Sequence, residues 1–216
     1  MKKIITSYGN FLRNTSTLYR SAAEKNNANC KRGCFECCSA GFFDITLLDA
    51  LHLRAAMRQV PDPLRSRILA RAEEQLDVLE KKKAFSRRNP LLRTEKDIDR
   101  VSLRSARVSC PALENGGCTI YEHRPHICRI FGPTIRGARR AVHLEGCGYF
   151  KKDIPAADFP VLDNYADEEV LLRKMFRKAG RVRLIDLDTI IPAALTMDLS
   201  KWLFSTNGAR NGHVKK

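Results

Sequence analysis

The chain of 216 residues carries 39 lysines and arginines against 24 acidic residues, a formal charge of +15, and is 44% hydrophobic. That length and apolar share suit a globular protein, one domain or a domain with an appendage, able to bury a core without disulfides. No apolar run is long enough for a membrane span, and Met1 to Gly9 lacks the sustained apolar stretch of a secretory signal, so a cytoplasmic protein with reduced cysteines is expected.

In chain order, a modest amphipathic helix is predicted from Ser7 to about Ala23, with Tyr8, Phe11, Leu12, Leu18, Tyr19 and Ala22 roughly on one face. The polar stretch Glu24 to Asn29 leads into a loop rich in cysteine, then a turn and a short extended piece over Ser39 to Phe43. Thr46 and Asp49 have the spacing of a capping box, opening a helix to about Arg58 that buries Leu47, Leu48, Leu51 and Met57. Pro61-Asp62-Pro63 ends that helix and starts another, with Asp62 as cap, Pro63 at the first helical position and Leu64, Ile68, Ala72, Leu76 and Leu79 as the buried stripe. Lys81-Lys82-Lys83 with Arg87-Arg88 reads as a solvated helix end in preference to a phosphate-binding patch. A further charged helix is expected within Leu91 to Val108.

Asn115-Gly116-Gly117 predicts a tight hairpin flanked by Cys110 and Cys118. A helical turn after Pro125 would aim Cys128 at the same place, and a ribbon of Ile135 with Ala141-Val142-His143 would deliver Cys147. Two cysteine-free helices follow, Tyr165 to Ala179 with Leu171, Leu172, Met175 and Phe176, and Ile190 to Leu203 beginning near Pro192. The predicted fold is mainly α with short β-hairpins, an irregular cysteine-rich metal-binding core flanked by helices. Residues 1–150 would form the cysteine-cluster domain, 151–204 a helical extension packing on it, and 205–216 a disordered tail.

Four of the eight cysteines, Cys30, Cys34, Cys37 and Cys38, fall within nine residues, and Gly33 permits a sharp bend among them. Vicinal cysteines bridge poorly, and thiols two or three residues apart converge readily on a metal. Adjacent Cys37 and Cys38 tend to diverge, so they suit two neighbouring centres or a bridge better than one mononuclear ion. Eight thiols fit two four-cysteine zinc sites, a four-cysteine iron–sulfur cluster with four spare thiols, or a compact polynuclear site. Sulfur ligands argue against magnesium and calcium. Bound thiolates would also remove part of the positive surplus.

These residues resemble the YkgJ-like cysteine-cluster proteins, the CxxCxxCC zinc- or iron-chelating family. The resemblance rests on Gly33-Cys34-Phe35-Glu36-Cys37-Cys38, Cys110-Pro111-Ala112-Leu113, Cys118-Thr119-Ile120-Tyr121-Glu122 with Arg124-Pro125, Cys128-Arg129 and Cys147-Gly148. It spans about Asn29 to Gly148, and one extra residue separates Cys30 from Cys34 relative to the family pattern. It implies metal chelation and no single reaction.

The candidate ligands are therefore Cys30, Cys34, Cys37, Cys38, Cys110, Cys118, Cys128 and Cys147, with an iron–sulfur cluster slightly favoured over zinc. Arg124 and Arg129 are candidates to donate hydrogen bonds near the thiolates and offset their charge. An iron–sulfur oxidoreductase or a protein- or peptide-modifying enzyme, with His123, His126 or His143 carrying protons, is the first alternative. The second is a zinc-stabilised nucleic-acid module using Lys81 to Lys83, Arg87, Arg88, Arg139 and Arg140; sparse aromatics disfavour it. A protein or small-molecule partner is left open.

Overall fold

A 24-residue helix, α1 (Lys2–Lys25), begins the computed structural model, which describes residues 2–25, 35–39, 44–105, 108–131, 135–137, 141–142, 161–162, 165–178, 180, 184–200 and 202. The predicted Ser7–Ala23 helix is thus longer at both ends. Ile4, Tyr8, Phe11, Leu12, Thr15 and Tyr19 form its buried stripe. Leu18, expected on that face, is 44% exposed, because the stripe follows the line from Tyr8 through Leu12 and Thr15 to Tyr19. The hydroxyls of Thr6, Ser7, Thr15, Ser16 and Thr17 each donate to the carbonyl four residues back, which satisfies them within the helix.

The cysteine pair lies on a helical turn, α2 (Glu36–Ser39), where an irregular loop was expected. Strand β1 (Asp44–Thr46) then leads into α3 (Leu47–Met57), whose N-cap is Thr46: its Oγ1 accepts from the Asp49 amide at 3.1 Å, as the capping-box spacing predicts. Leu47, Leu48 and Met57 are buried and Leu51 is half-buried. In α4 (Asp62–Lys81) the cap falls on Pro61 and Asp62 opens the helix, one residue earlier than predicted. Its stripe of Ile68, Ala72, Leu76 and Leu79 is buried, while Leu64 is half-buried.

Leu91 and Leu92 are not helical; they are buried in extended chain ahead of α5 (Glu95–Ser105). Thr94 and Asp97 bond reciprocally at the start of that helix and fix where it begins. Strands β2 (Leu113–Glu114) and β3 (Gly117–Cys118) make the expected hairpin, with Asn115 at φ 52° and Gly116 at φ 71°. That left-handed pair is what an Asn-Gly turn supplies. A 3₁₀ turn (Tyr121–His123) and α6 (Ile127–Ile130) follow.

Strands β4 (Ile135–Gly137) and β5 (Ala141–Val142) pair antiparallel as expected, and β6 (Val161–Leu162) adds to β4 in parallel. Helix α7 (Tyr165–Lys178) matches its prediction. The predicted Ile190–Leu203 helix does not form as such. Strand β7 (Asp188–Ile190) pairs antiparallel with β1, leaving α8 (Ile191–Thr196) as a short helix with Pro192 in its first turn. Thr189 Oγ1 bonds the Pro90 carbonyl at 2.8 Å, and Leu92 exchanges backbone hydrogen bonds with Asp188, so extended pairing outcompetes helix there.

The architecture is mainly helical with short antiparallel hairpins. One apolar core joins Tyr8 and Leu12 of α1, Leu48 and Leu53 of α3, Ile68 of α4, Phe176 of α7 and Leu195 of α8. Each such large side chain contributes roughly 1.5–3 kcal/mol by leaving water. Among the described residues no helix is long and apolar enough to cross a membrane. The expected tail, 205–216, lies outside the described residues.

Candidate metal centre

Cys38 and Cys110 meet through their backbones: the Cys110 amide donates to the Cys38 carbonyl at 2.8 Å. Cys118 sits across the β2–β3 hairpin, opposite Leu113, whose amide in turn bonds the Cys110 carbonyl at 3.0 Å. The Phe35 ring covers the turn, so that a Cβ at Gly116 would lie 3.4 Å from it. The CysCys turn and the hairpin are thus packed against each other. Cys38, Cys110, Cys118 and Cys128 are all half-buried, and the last three pack on the edge of the main core.

Of Cys37 the structure describes the helical backbone, while Cys30, Cys34 and Cys147 lie outside the described residues, as do His143, Arg139 and Arg140. Among the described residues no set of three or more His, Cys, Asp or Glu side chains has metal-holding geometry.

Helix α4 holds the hairpin with a polar stripe that sequence reasoning missed. Arg71 Nε donates to the Pro111 carbonyl at 2.8 Å and Gln75 Nε2 to the Ser109 carbonyl at 2.7 Å. Arg67 and Arg71 both bond the Glu114 carboxylate, at 3.1 and 3.2 Å. The hydrogen bond from Arg67, with help from Arg71, holds the Glu114 carboxyl below the usual carboxylate range. The residues at i, i+4 and i+8 share one helix face, which is the signal available in the sequence.

The turn bearing Cys128 is organised by Arg129, which is 6% exposed. Its guanidinium donates to the carbonyls of Arg124 (2.8 Å), Glu122 (2.6 Å) and Leu12 (3.4 Å), and to Ser16 Oγ (2.5 Å). It therefore folds the segment on itself and ties it to α1. Burial, and then the neighbouring Arg124 charge, lower its pKa. Arg124 lies 3.5 Å over the Tyr121 ring, and donates to the carbonyls of Tyr121 and Cys128 at 2.9 and 3.3 Å. These two arginines are thus placed at the Cys128 turn, where their hydrogen bonds reach carbonyls and a hydroxyl.

Behind that turn is a buried polar network. The His126 amide donates to Asp49 Oδ1 at 2.8 Å, and His126 Nδ1 lies 2.8 Å from Glu168 Oε2. The Tyr8 hydroxyl lies 2.8 Å from Asp49 Oδ1 and 2.9 Å from Glu168 Oε1, and Thr46 Oγ1 is 3.1 Å from the same Glu168 oxygen. One phenolic hydrogen serves two carboxylates, so only one of the two short contacts is satisfied unless a carboxyl is protonated. Burial, then repulsion from Glu168, pushes Asp49 up to about 7. Burial also opposes ionisation of Glu168, but its hydrogen bonds, first from His126, outweigh that and keep it the ionised partner. Burial and both carboxylates push Tyr8 up.

The His52 ring meets the Tyr8 ring edge-on, 5.7 Å between centroids. Burial, then the Arg129 charge, brings His52 down to about 4 and lowers His123 as well. His52 Nδ1 is buried without a hydrogen-bond partner, and a Cβ at Gly9 would come within 3.3 Å of the His52 ring. Arg87, part of the proposed basic patch, pairs with Glu73, Asp77 and Glu80.

No curated protein matches the chain, and no solved structure does. The model of the CxxCxxCC family, described as "Putative zinc- or iron-chelating domain", matches residues 29–148. That segment begins just before Cys30, ends just after Cys147 and covers more than half of the sequence, so the chain belongs to the CxxCxxCC, YkgJ-like family of metal-chelating domains.

Proposed function

We propose that the protein chelates metal through Cys30, Cys34, Cys37, Cys38, Cys110, Cys118, Cys128 and Cys147, and that an iron–sulfur cluster is favoured over zinc. The observation that carries this reading is the Cys110–Cys38 backbone hydrogen bond. It brings the CysCys turn against a hairpin whose two ends both carry cysteine. The donor set fits: the described thiols are half-buried at the edge of an apolar core, and sulfur is the ligand that zinc and iron–sulfur centres prefer. Adjacent cysteines suit two neighbouring ions better than one mononuclear ion, so Cys37 and Cys38 are assigned to neighbouring metal ions or to a polynuclear site.

Arg124 and Arg129 hold the Cys128 segment, and positive charge near Cys128 would favour its thiolate form. A bound iron–sulfur cluster would supply one-electron chemistry. Whether the chain is also an oxidoreductase then turns on whether the cluster accepts an electron. Arg87, engaged by three carboxylates, is not available as a lone phosphate contact, which weighs against the nucleic-acid reading.

The test is metal and acid-labile sulfide on protein purified without oxygen, with visible spectra before and after dithionite. Iron with sulfide and a bleachable chromophore is the expected result. Two colourless zinc ions per chain would make the site structural instead. Replacing Cys37 and Cys38 by serine is expected to lower metal content and thermal stability together. Unchanged values for both would overturn chelation at that turn.

A further inference from the structure

Two of the helices that fasten the Cys128 turn lie outside the family-matched residues 29–148. From α1 come the Tyr8 hydroxyl, the Leu12 carbonyl and the Ser16 hydroxyl; from α7 comes Glu168. Between them stands Asp49 of α3, whose carboxylate accepts the His126 amide. His126 precedes α6 directly and is itself 3% exposed, as are Tyr8 (0%), Asp49 (2%) and Glu168 (5%) at similar depth.

A glutamate on an exposed helix would be free to take many rotamers. Glu168 is instead held at both oxygens, Oε1 by Tyr8 and Thr46 and Oε2 by His126. Asp49 is doubly engaged as well: it contacts the same phenol and carries the backbone of the loop. The two carboxylates act on the one segment from two sides. His126 is held by its backbone through Asp49 and by its ring through Glu168. Such rigidity costs a buried pair of carboxylates, and the apolar core alone would not require it.

We infer that Asp49, Tyr8 and Glu168 are positioning residues of the metal centre: they lock His126, and through it the turn that presents Cys128, in the geometry needed for ligation. The α1 and α7 helices are on this view working parts of the chelating module in this chain. The inference rests on the reading of Cys128 as a ligand. Ligand groups held by fixed neighbours lose metal slowly, and removing such neighbours typically weakens metal binding tenfold or more.

The experiment uses the full chain with its as-isolated metal. A chromophoric chelator strips the metal at a temperature where circular dichroism shows every variant folded. The variants are Glu168→Gln, which keeps the side-chain shape, and Tyr8→Phe, which keeps the ring and its stacking on Phe11. The control is Arg173→Ala on α7, whose guanidinium pairs with Glu169 at the surface.

Release about tenfold faster in both variants, with the control unchanged, is the expected result. A changed metal absorption envelope before stripping would accompany it, and a purely structural role would not produce that change. Wild-type release rates in both variants, even with a lowered Tm, would overturn the inference alone. A wild-type chain holding no metal would overturn the chelation reading and this inference with it.

Discussion

The hairpin carrying Cys110 and Cys118 is fastened from outside, by Arg67, Arg71 and Gln75 of α4 reaching its carbonyls and Glu114. The turn carrying Cys128 is fastened from inside, by Arg129 and by the Asp49–Tyr8–Glu168 network. Both devices hold short cysteine-bearing elements, the β2–β3 hairpin and the single turn of α6. They differ in what surrounds the charge. Arg67 is 52% exposed at its side chain, where water and salt compete for Glu114, whereas Arg129 is 6% exposed and has no such competitor. The comparison teaches that one cysteine-bearing segment is held by interactions that are easily replaced and the other by interactions that water cannot replace.

The strongest way to break that contrast is Arg129→Met. It keeps an unbranched stem but removes the donors serving Leu12, Ser16, Glu122 and Arg124. Because the Glu122 and Arg124 carbonyls lose this donor and the tie between the turn and α1 is cut, the expected loss is roughly 3–5 kcal/mol by denaturant unfolding. Arg129→Lys should recover only a fraction, since a single ammonium does not reproduce the planar fork. A lysine variant as stable as the parent would show that charge alone, without geometry, holds the turn.

A second effect, read from how stability varies with pH, sharpens the account of the interior. Asp188, on β7, is pushed up to about 7 by burial first and then by Asp44, Asp49, Glu168 and Asp186. Its folded-state pKa lies above its unfolded value of 3.8, so the folded chain holds this proton more tightly. Stability from this group is therefore complete below about pH 4 and falls, by at most about 1.4 kcal/mol for each pH unit, until about pH 7. Asp188→Asn removes the titration. Relative to the parent its Tm should rise little at pH 4 and clearly at pH 8, with the gain levelling off above about 7. An equal shift at both pH values would show that Asp188 is not held protonated by its acidic neighbours.

Local chemistry was the legible part of the sequence. Thr46 and Asp49 lie three residues apart, Asn115-Gly116-Gly117 is a turn whatever its surroundings, and the stripe of α4 repeats at helical spacing. What could not be read depends on partners far along the chain. Asp49 reads in the sequence as half of a capping box, but its burial against Tyr8 and His126 is a property of three separate segments. Glu168 carries no signal of its own, because nothing nearby in sequence marks it as the acceptor for His126. The start of the Ile190–Leu203 expectation failed for the same reason: its first residue belongs to a strand that pairs with β1, far away in sequence. The cysteine spacing identified the family segment, while the two flanking helices that hold the Cys128 turn carry no motif.

The smallest effect belongs to the outer fastening, and it decides whether the contrast is real. Glu114→Gln removes the charge that Arg67 and Arg71 share but leaves an amide oxygen able to accept from one of them. The Arg71 bond to Pro111 and the Gln75 bond to Ser109 are untouched, so the hairpin keeps two of its anchors to α4. Since Glu114 titrates below the usual carboxylate range when folded, what it contributes is present above its unfolded pKa and is lost as pH falls through the folded one. At neutral pH and low salt the variant should therefore be slightly less stable than the parent, and the difference should shrink as salt screens the pair. Measured by denaturant unfolding at low and high salt, it should stay well below the Arg129→Met loss. A penalty as large as that loss, and indifferent to salt, would mean that the exposed carboxylate is as deeply committed as the buried guanidinium, and the distinction between the two fastenings would collapse.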